Sequence, residues 1–476
     1  MSDTYPDLLA CEDLLLFASA AISGTGQREF HSGAEQQRLS LDFLHEYVHH
    51  CLPDLYAATL ALHVNDHNAL RIVHTLLARP RPDAPTHERA RENALIRRRL
   101  ARTPPQRVYR LFRRLAAERV NNRRTRATIR DWLAQRPDLT LDAVKYRRGL
   151  RDAARHARLR LTGDVDRFLF SSPSARRRHR YPDSPLLRAH SRAHHSARDL
   201  YELPLSVAEG FAAHHKVPRA RFLELIRERA TGAERLRLTE AAHRAGVDPL
   251  GALSDAPLLR LCSYVLGLSL EERRERRSEL EHALERAARR TAGASAGTWP
   301  PTALVLDDSY SALGSPVRRN RPLAVALACH HLVSVLSPNA TTHWLSGRAD
   351  HLTVHPLGPT HLAETVLDAL EREPERVVVV SDGHDSEPAL LDDALRLWRR
   401  RVDPDRATTL VHLNPVLDAD GLGPRTLSSA VPTLGLHDPV TLPSLVELAR
   451  FGEGRLGLSD LRAHMDAAAA AYLEER

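Results

Sequence analysis

The sequence predicts a multidomain α plus α/β chain, in which an all-α, HEAT-like helical-repeat array is followed by a doubly wound α/β domain. Three observations carry this expectation. Up to about Arg290 the apolar residues recur at three- and four-residue spacing, the period of amphipathic helices. Beyond Pro301 short apolar runs alternate with helical stretches, the pattern of a parallel sheet covered on both faces. The charge also changes sign: residues 1–300 hold 52 Lys/Arg and 36 Asp/Glu, net +16, whereas residues 301–476 hold 16 and 24, net −8, which together make the +8 of the chain. At 476 residues the chain is too long for one ordinary core.

The helical part is read from strings such as Leu41, Phe43, Leu44, Tyr47 and Val48, then Val108, Leu111, Phe112 and Leu115, then Phe222, Leu223, Leu225 and Ile226. Turn signals at Pro80-Arg81-Pro82, Pro104-Pro105, Arg136-Pro137-Asp138 and Gly246-Val247-Asp248-Pro249 cut it into helix-sized pieces without a strict repeat. Residues 1–290 are thus expected to be the array and 291–301, rich in Ala, Gly, Ser and Pro, a linker. Residues 302–476 form the α/β domain. Its strands are expected at Ala303–Leu306, Thr342–Leu345, Leu352–Val354, Val377–Val380, Thr409–His412 and Thr433–Leu436, with helices at 321–336, 360–371, 388–400 and 441–452.

The four cysteines, Cys11, Cys51, Cys262 and Cys329, are far apart and form no CxxC pair, which argues against a disulfide framework or a zinc ribbon. Acidic residues Asp3, Asp7, Glu12 and Asp13 occupy the place where a signal peptide needs positive charge, and no apolar run reaches membrane-spanning length. A cytoplasmic location without membrane insertion is expected.

In open α/β sheets ligands bind beyond the carboxyl ends of the strands. There the sequence sets Asp307, Ser309 and Ser311 at alternate positions after Leu306, Thr360 after Gly358-Pro359, and Asp382 after the apolar run Val377–Val380. Two carboxylates and three hydroxyls are hard oxygen donors suited to Mg²⁺, with Mn²⁺ or Ca²⁺ as alternatives. In this order and on these strand ends the five positions resemble the metal-ion-dependent adhesion site of von Willebrand factor A domains. The resemblance covers about the last 175 residues. It implies that Ser309 and Ser311 bind directly, that Asp307 and Asp382 act through water, and that an acidic group of a partner fills the open coordination position.

Between Arg97 and Arg198 there are 29 Lys/Arg against 8 Asp/Glu, an excess of +21. The block contains Arg123, Arg124 and Arg126, then Lys145, Arg147 and Arg148, then Arg176, Arg177 and Arg178. Arginine forks grip phosphates and stack on unpaired bases, so these nine are the candidate RNA contacts; Tyr146 is expected in the core. The string Asn121-Asn-Arg-Arg-Thr-Arg-Ala-Thr-Ile-Arg-Asp-Trp-Leu133, followed by Leu141-Asp-Ala-Val-Lys-Tyr-Arg-Arg148, looks like the TROVE module of the Ro autoantigen family. Proteins of that family join a helical-repeat ring, which binds non-coding and misfolded RNAs, to a C-terminal von Willebrand A domain. The expected function is therefore that of a non-enzymatic, RNA-binding ribonucleoprotein component with a divalent-metal domain. The alternative is a metal-dependent adaptor or scaffold that captures an acidic residue of a protein partner such as a AAA+ ATPase.

Other signals count for less. His63 and His67 sit one helical turn apart without the glutamate of a hydrolytic zinc motif. Gly293-Ala-Ser-Ala-Gly297 fits a nucleophile elbow but falls in the expected linker. Adjacent pairs such as His330-His331 are expected to point their rings to different helix faces.

Overall fold

The computed structural model describes residues 4–474 apart from 228–233, 235–237, 239–252, 254–255, 419–421 and 453–456. It is mostly helical, with one small all-parallel sheet, as the helical and α/β signals predict. The chain forms two compact units, residues 1–72 with 253–476, and residues 73–252. No helix among the described residues is long and apolar enough to cross a membrane. All four cysteines are free thiols.

In the first unit the strands β1 (Thr302–Leu306), β2 (Thr341–Trp344), β3 (Arg376–Val380), β4 (Thr409–Asn414) and β5 (Thr433–Gly435) lie in the order β2-β1-β3-β4-β5. Register is set where Leu306 pairs with both Trp344 and Val380, so β1, β2 and β3 end together. All five residues of β1 are buried, as a central parallel strand requires. Helices Arg321–Leu336, Leu362–Leu370, Leu391–Arg401 and Leu442–Gly452 fall where the helical period placed them. A further helix, Leu458–Glu474, was not expected.

The run Leu352–Val354 is not a strand but part of a 3-10 turn, His351–Thr353. Asp350 caps it by accepting from Leu352 N, and the buried Arg273 guanidinium donates to the carbonyls of Leu352 and Val354. A side chain thereby satisfies the backbone groups that a neighbouring strand would otherwise have to satisfy.

The first 72 residues pack on the α/β part, a partition that differs from the expected break at 291–301. Helix Tyr5–Ser23 lies against β5 so closely that a Cβ at Gly435 would run into the carbonyl of Ser19. Arg318 pairs with Glu29, and Ser32 Oγ and Gln37 Nε2 both donate to the carbonyl of Leu417. Helix Arg277–Ala292 runs into the expected linker, and the rest is pinned to helix Arg321–Leu336 through Gly297 N to Val335 O and Trp299 N to Leu336 O.

In the second unit Thr86–Arg102 packs on Arg123–Ala134, and Leu139–His156 packs on Pro105–Ala117 and on Arg123–Ala134, so the main pairings skip a helix. Tyr109 and Phe112 meet Trp132 edge-on. Gly149 is needed at the crossing, because a Cβ there would lie 2.7 Å from Tyr109 Cβ. The buried Asp142 accepts from Tyr109 Oη and from both forks of Arg136, so its charge is matched where water is excluded.

Candidate metal centre and basic helices

The five expected ligands come together at the carboxyl end of the sheet. Asp307 continues β1 by donating its N–H to the carbonyl of Val380, which places it beside the loop that follows β3. Ser309 N and Ser381 Oγ donate to its two carboxylate oxygens at 2.9 and 2.8 Å. Ser309 Oγ and Ser311 Oγ lie 3.1 Å apart, and Thr360 Oγ1 donates to Ser309 Oγ at 2.8 Å. Backbone bonds from Tyr310 N to Gly358 O and from Leu357 N to Asp308 O stitch the loop carrying Thr360 to the loop carrying the serines. Asp382 completes the set. All five residues are buried, and a cavity of about 10 Å³, room for one small ion or water, is lined by Asp307, Ser311 and Asp382.

The two carboxylates share one buried site. Burial first, and then the facing Asp382 carboxylate, push Asp307 up to about 7. Two carboxylates in one dry site repel unless one of them is protonated or a positive charge stands near them. Three hydroxyl oxygens complete a hard-donor set that could hold Mg²⁺ or Mn²⁺.

Several supporting residues gave no motif in the sequence. Asn414 donates to the carbonyls of Asp382 and Arg425, and the buried His412 bridges the Ser381 carbonyl and Thr433 Oγ1, so β4 holds the loop after β3. Gly383 has φ +81, and a Cβ there would sit 2.6 Å from Arg425 O. His31, from the N-terminal segment, places Nε2 3.7 Å from Asp382 Oδ2 and stacks on His384 at 3.6 Å. Only a pairing across about 350 residues reveals it.

No protein-family model and no curated protein matches the chain.

The basic residues are less uniform than their charge suggests. Arg123 and Arg124 line a cleft of about 590 Å³ between helices Thr86–Arg102 and Arg123–Ala134, with Arg81, Arg89 and Arg97. Arg123 is exposed, whereas Arg124 is engaged by Glu92, Asn93 and the Leu76 carbonyl. Arg126 donates to Asn121. Asn122 caps the helix by accepting from Thr125 N, and Trp132 Nε1 donates to the Leu100 carbonyl, so part of the Asn121–Leu133 string is structural. Lys145 stands 4.0 Å from Glu234, Arg148 is exposed and 4.0 Å from Asp152, and Arg147 is half-buried beside Arg151. Tyr146 is half-buried against Tyr109. Arg176 donates to the carbonyls of Phe168 and Ser171, Arg178 is exposed, and the side chain of Arg177 lies outside the described residues. Arg147 and Arg176 both bear on His190, which places them in one neighbourhood.

Proposed function

We propose that this chain is a non-enzymatic RNA-binding component of a ribonucleoprotein, of the Ro type. Its α/β part is read as a von Willebrand factor A-like domain with one divalent cation on Asp307, Ser309, Ser311, Thr360 and Asp382. The observation that carries the RNA reading is the +21 excess of residues 97–198, with Arg123 and Arg178 exposed and Arg148 exposed beside Asp152, while Arg124 and Arg176 are engaged with inner partners. Exposed guanidinium groups in such excess bind a polyanion by releasing its counterions. The metal-site residues are ligands without a nucleophile, base and orienter arranged for turnover, so the cation organises the loops and offers a coordination position to a partner. Mg²⁺ suits the oxygen donors best, with Mn²⁺ or Ca²⁺ as substitutes.

The test is the nucleic-acid content of untagged protein purified at low salt from its own host, beside Arg123→Glu/Arg178→Glu. RNase-sensitive absorbance near 260 nm that the double variant loses supports RNA binding. Nucleic-acid-free protein that also fails to shift RNA at low salt contradicts it.

One observation favours a second reading, a metal-dependent adaptor for an acidic segment of a protein such as a AAA+ ATPase. The clustered hydroxyls and carboxylates lie at the end of the sheet, where a carboxylate from outside can complete a cation's shell. That reading requires a partner released both by EDTA and by Asp307→Ala.

A further inference from the structure

A second cluster of ligating groups lies away from the oxygen centre and differs from it in chemistry. His330 and His331 are half-buried in the second half of helix Arg321–Leu336, and His351 opens the 3-10 turn after β2. One ring nitrogen from each lies within 4.8 Å of those of the other two. The rings meet with centroids 4.8–4.9 Å apart, so His330 and His331 converge on His351 instead of facing apart as adjacent helix positions suggest.

Two further facts separate this cluster from ordinary histidine packing. Nε2 of His331 and Nε2 of His351 are buried and have no hydrogen-bond partner among the described residues, although a buried imidazole nitrogen normally finds one. His330, by contrast, has Nδ1 3.0 Å from Thr342 Oγ1, the kind of bond that fixes which ring nitrogen is left for a metal. The turn carrying His351 is held by the Arg277–Asp350 ion pair and by the bonds of Arg273 to Leu352 and Val354. His331 also lines a cleft of about 580 Å³ with Glu285 and Arg289, which gives an ion a route in from solvent.

We propose that His330, His331 and His351 form a site for a nitrogen-preferring transition metal, Zn²⁺ foremost, with its fourth position open towards this cleft. Burial is the main cause that keeps all three imidazoles below the ordinary histidine value, so they are neutral near pH 7, the form that ligates. Two nitrogens on one tetrahedral zinc stand about 3.3 Å apart at the usual bond length of about 2.0–2.1 Å. Side-chain rotations have to close the nitrogens from a spacing of up to 4.8 Å to that distance. Three imidazoles select Zn²⁺, Cu²⁺, Ni²⁺ or Co²⁺ over Mg²⁺, so the site and the oxygen centre fill independently.

The experiment uses the untagged, chelator-stripped full chain and titrates Zn²⁺ by calorimetry in millimolar Mg²⁺, with Co²⁺ as the spectroscopic probe. The expected result is one tight Zn²⁺ equivalent and visible Co²⁺ d–d bands of a tetrahedral nitrogen site. Both are retained in Asp307→Ala, whereas affinity falls by roughly 100-fold or more in His331→Ala and His351→Ala, beyond the 10- to 100-fold cost of losing a partner behind a ligand. His351→Gln keeps the bulk and polarity of the side chain and gives the same loss if the alanine variant fails to fold. The absence of a tight equivalent in the wild type, its persistence in the histidine variants, or its loss in Asp307→Ala overturns the proposal.

Discussion

Asp307 is the residue on which the account of the oxygen centre rests. It is buried, it faces a second buried carboxylate, and hydrogen bonds from Ser309 and Ser381 orient both of its oxygens. Replacing it by alanine removes the carboxylate facing Asp382 and, on the proposed reading, a ligand, so Asp307→Ala is expected to abolish Mg²⁺-dependent stabilisation. In the wild type, Mg²⁺ at about 100 times its dissociation constant adds about 2.7 kcal/mol, read as a rise in melting temperature that the variant lacks. An equal rise in both proteins contradicts the assignment. His45 supplies a second test at this scale. It is fully enclosed between Tyr56 Oη and Asn68 Oδ1, and burial pushes it from 6.5 down to about 4. A histidine lowered in the fold contributes stability above pH 6.5 and loses it as the pH falls from 6.5 towards 4. The loss is about 3 kcal/mol at most, and denaturant unfolding across that window is expected to show a shallower decline in His45→Gln.

At the scale of elements, the docking of helix Tyr5–Ser23 on β5 depends on the missing side chain at Gly435. Gly435→Ala drives a methyl group into the carbonyl of Ser19. It is expected to destabilise the first unit by about 1–3 kcal/mol in denaturant titrations, the usual range for overpacking; an unchanged midpoint contradicts this packing. That contact also shows where sequence reading stopped. β1 and β3 were legible because an unbroken apolar run ending in Asp or Ser has few other uses, and with them the five oxygen-bearing residues that meet at the carboxyl end of the sheet could be named. The non-strand at Leu352–Val354 was not legible, because its carbonyls are satisfied by Arg273, some 80 positions earlier. Neither was the place of the first 72 residues, since helical periodicity records that a face is buried but not against what. His31 beside Asp382 and the convergence of His331 with His351 are pairings of the same kind, set by tertiary approach and invisible to local spacing.

For the whole molecule the central claim is electrostatic. The chain carries opposite net charges in residues 1–300 and 301–476, and its basic excess is concentrated in residues 97–198. Many arginines there are engaged with backbone carbonyls or buried carboxylates, which a charge count cannot reveal, so the RNA contacts are expected from the exposed members. The measurement that tests this most directly is the affinity for a single-stranded RNA, titrated from low to physiological salt for the wild type and Arg123→Glu/Arg178→Glu, which changes two exposed members. Binding is expected to weaken steeply and linearly in log–log form, by about 0.7 in slope for each phosphate contacted on a single strand, and the double variant is expected to bind more weakly with a shallower slope. Salt-independent binding, or a variant indistinguishable from the wild type, would contradict the assignment of these helices to RNA.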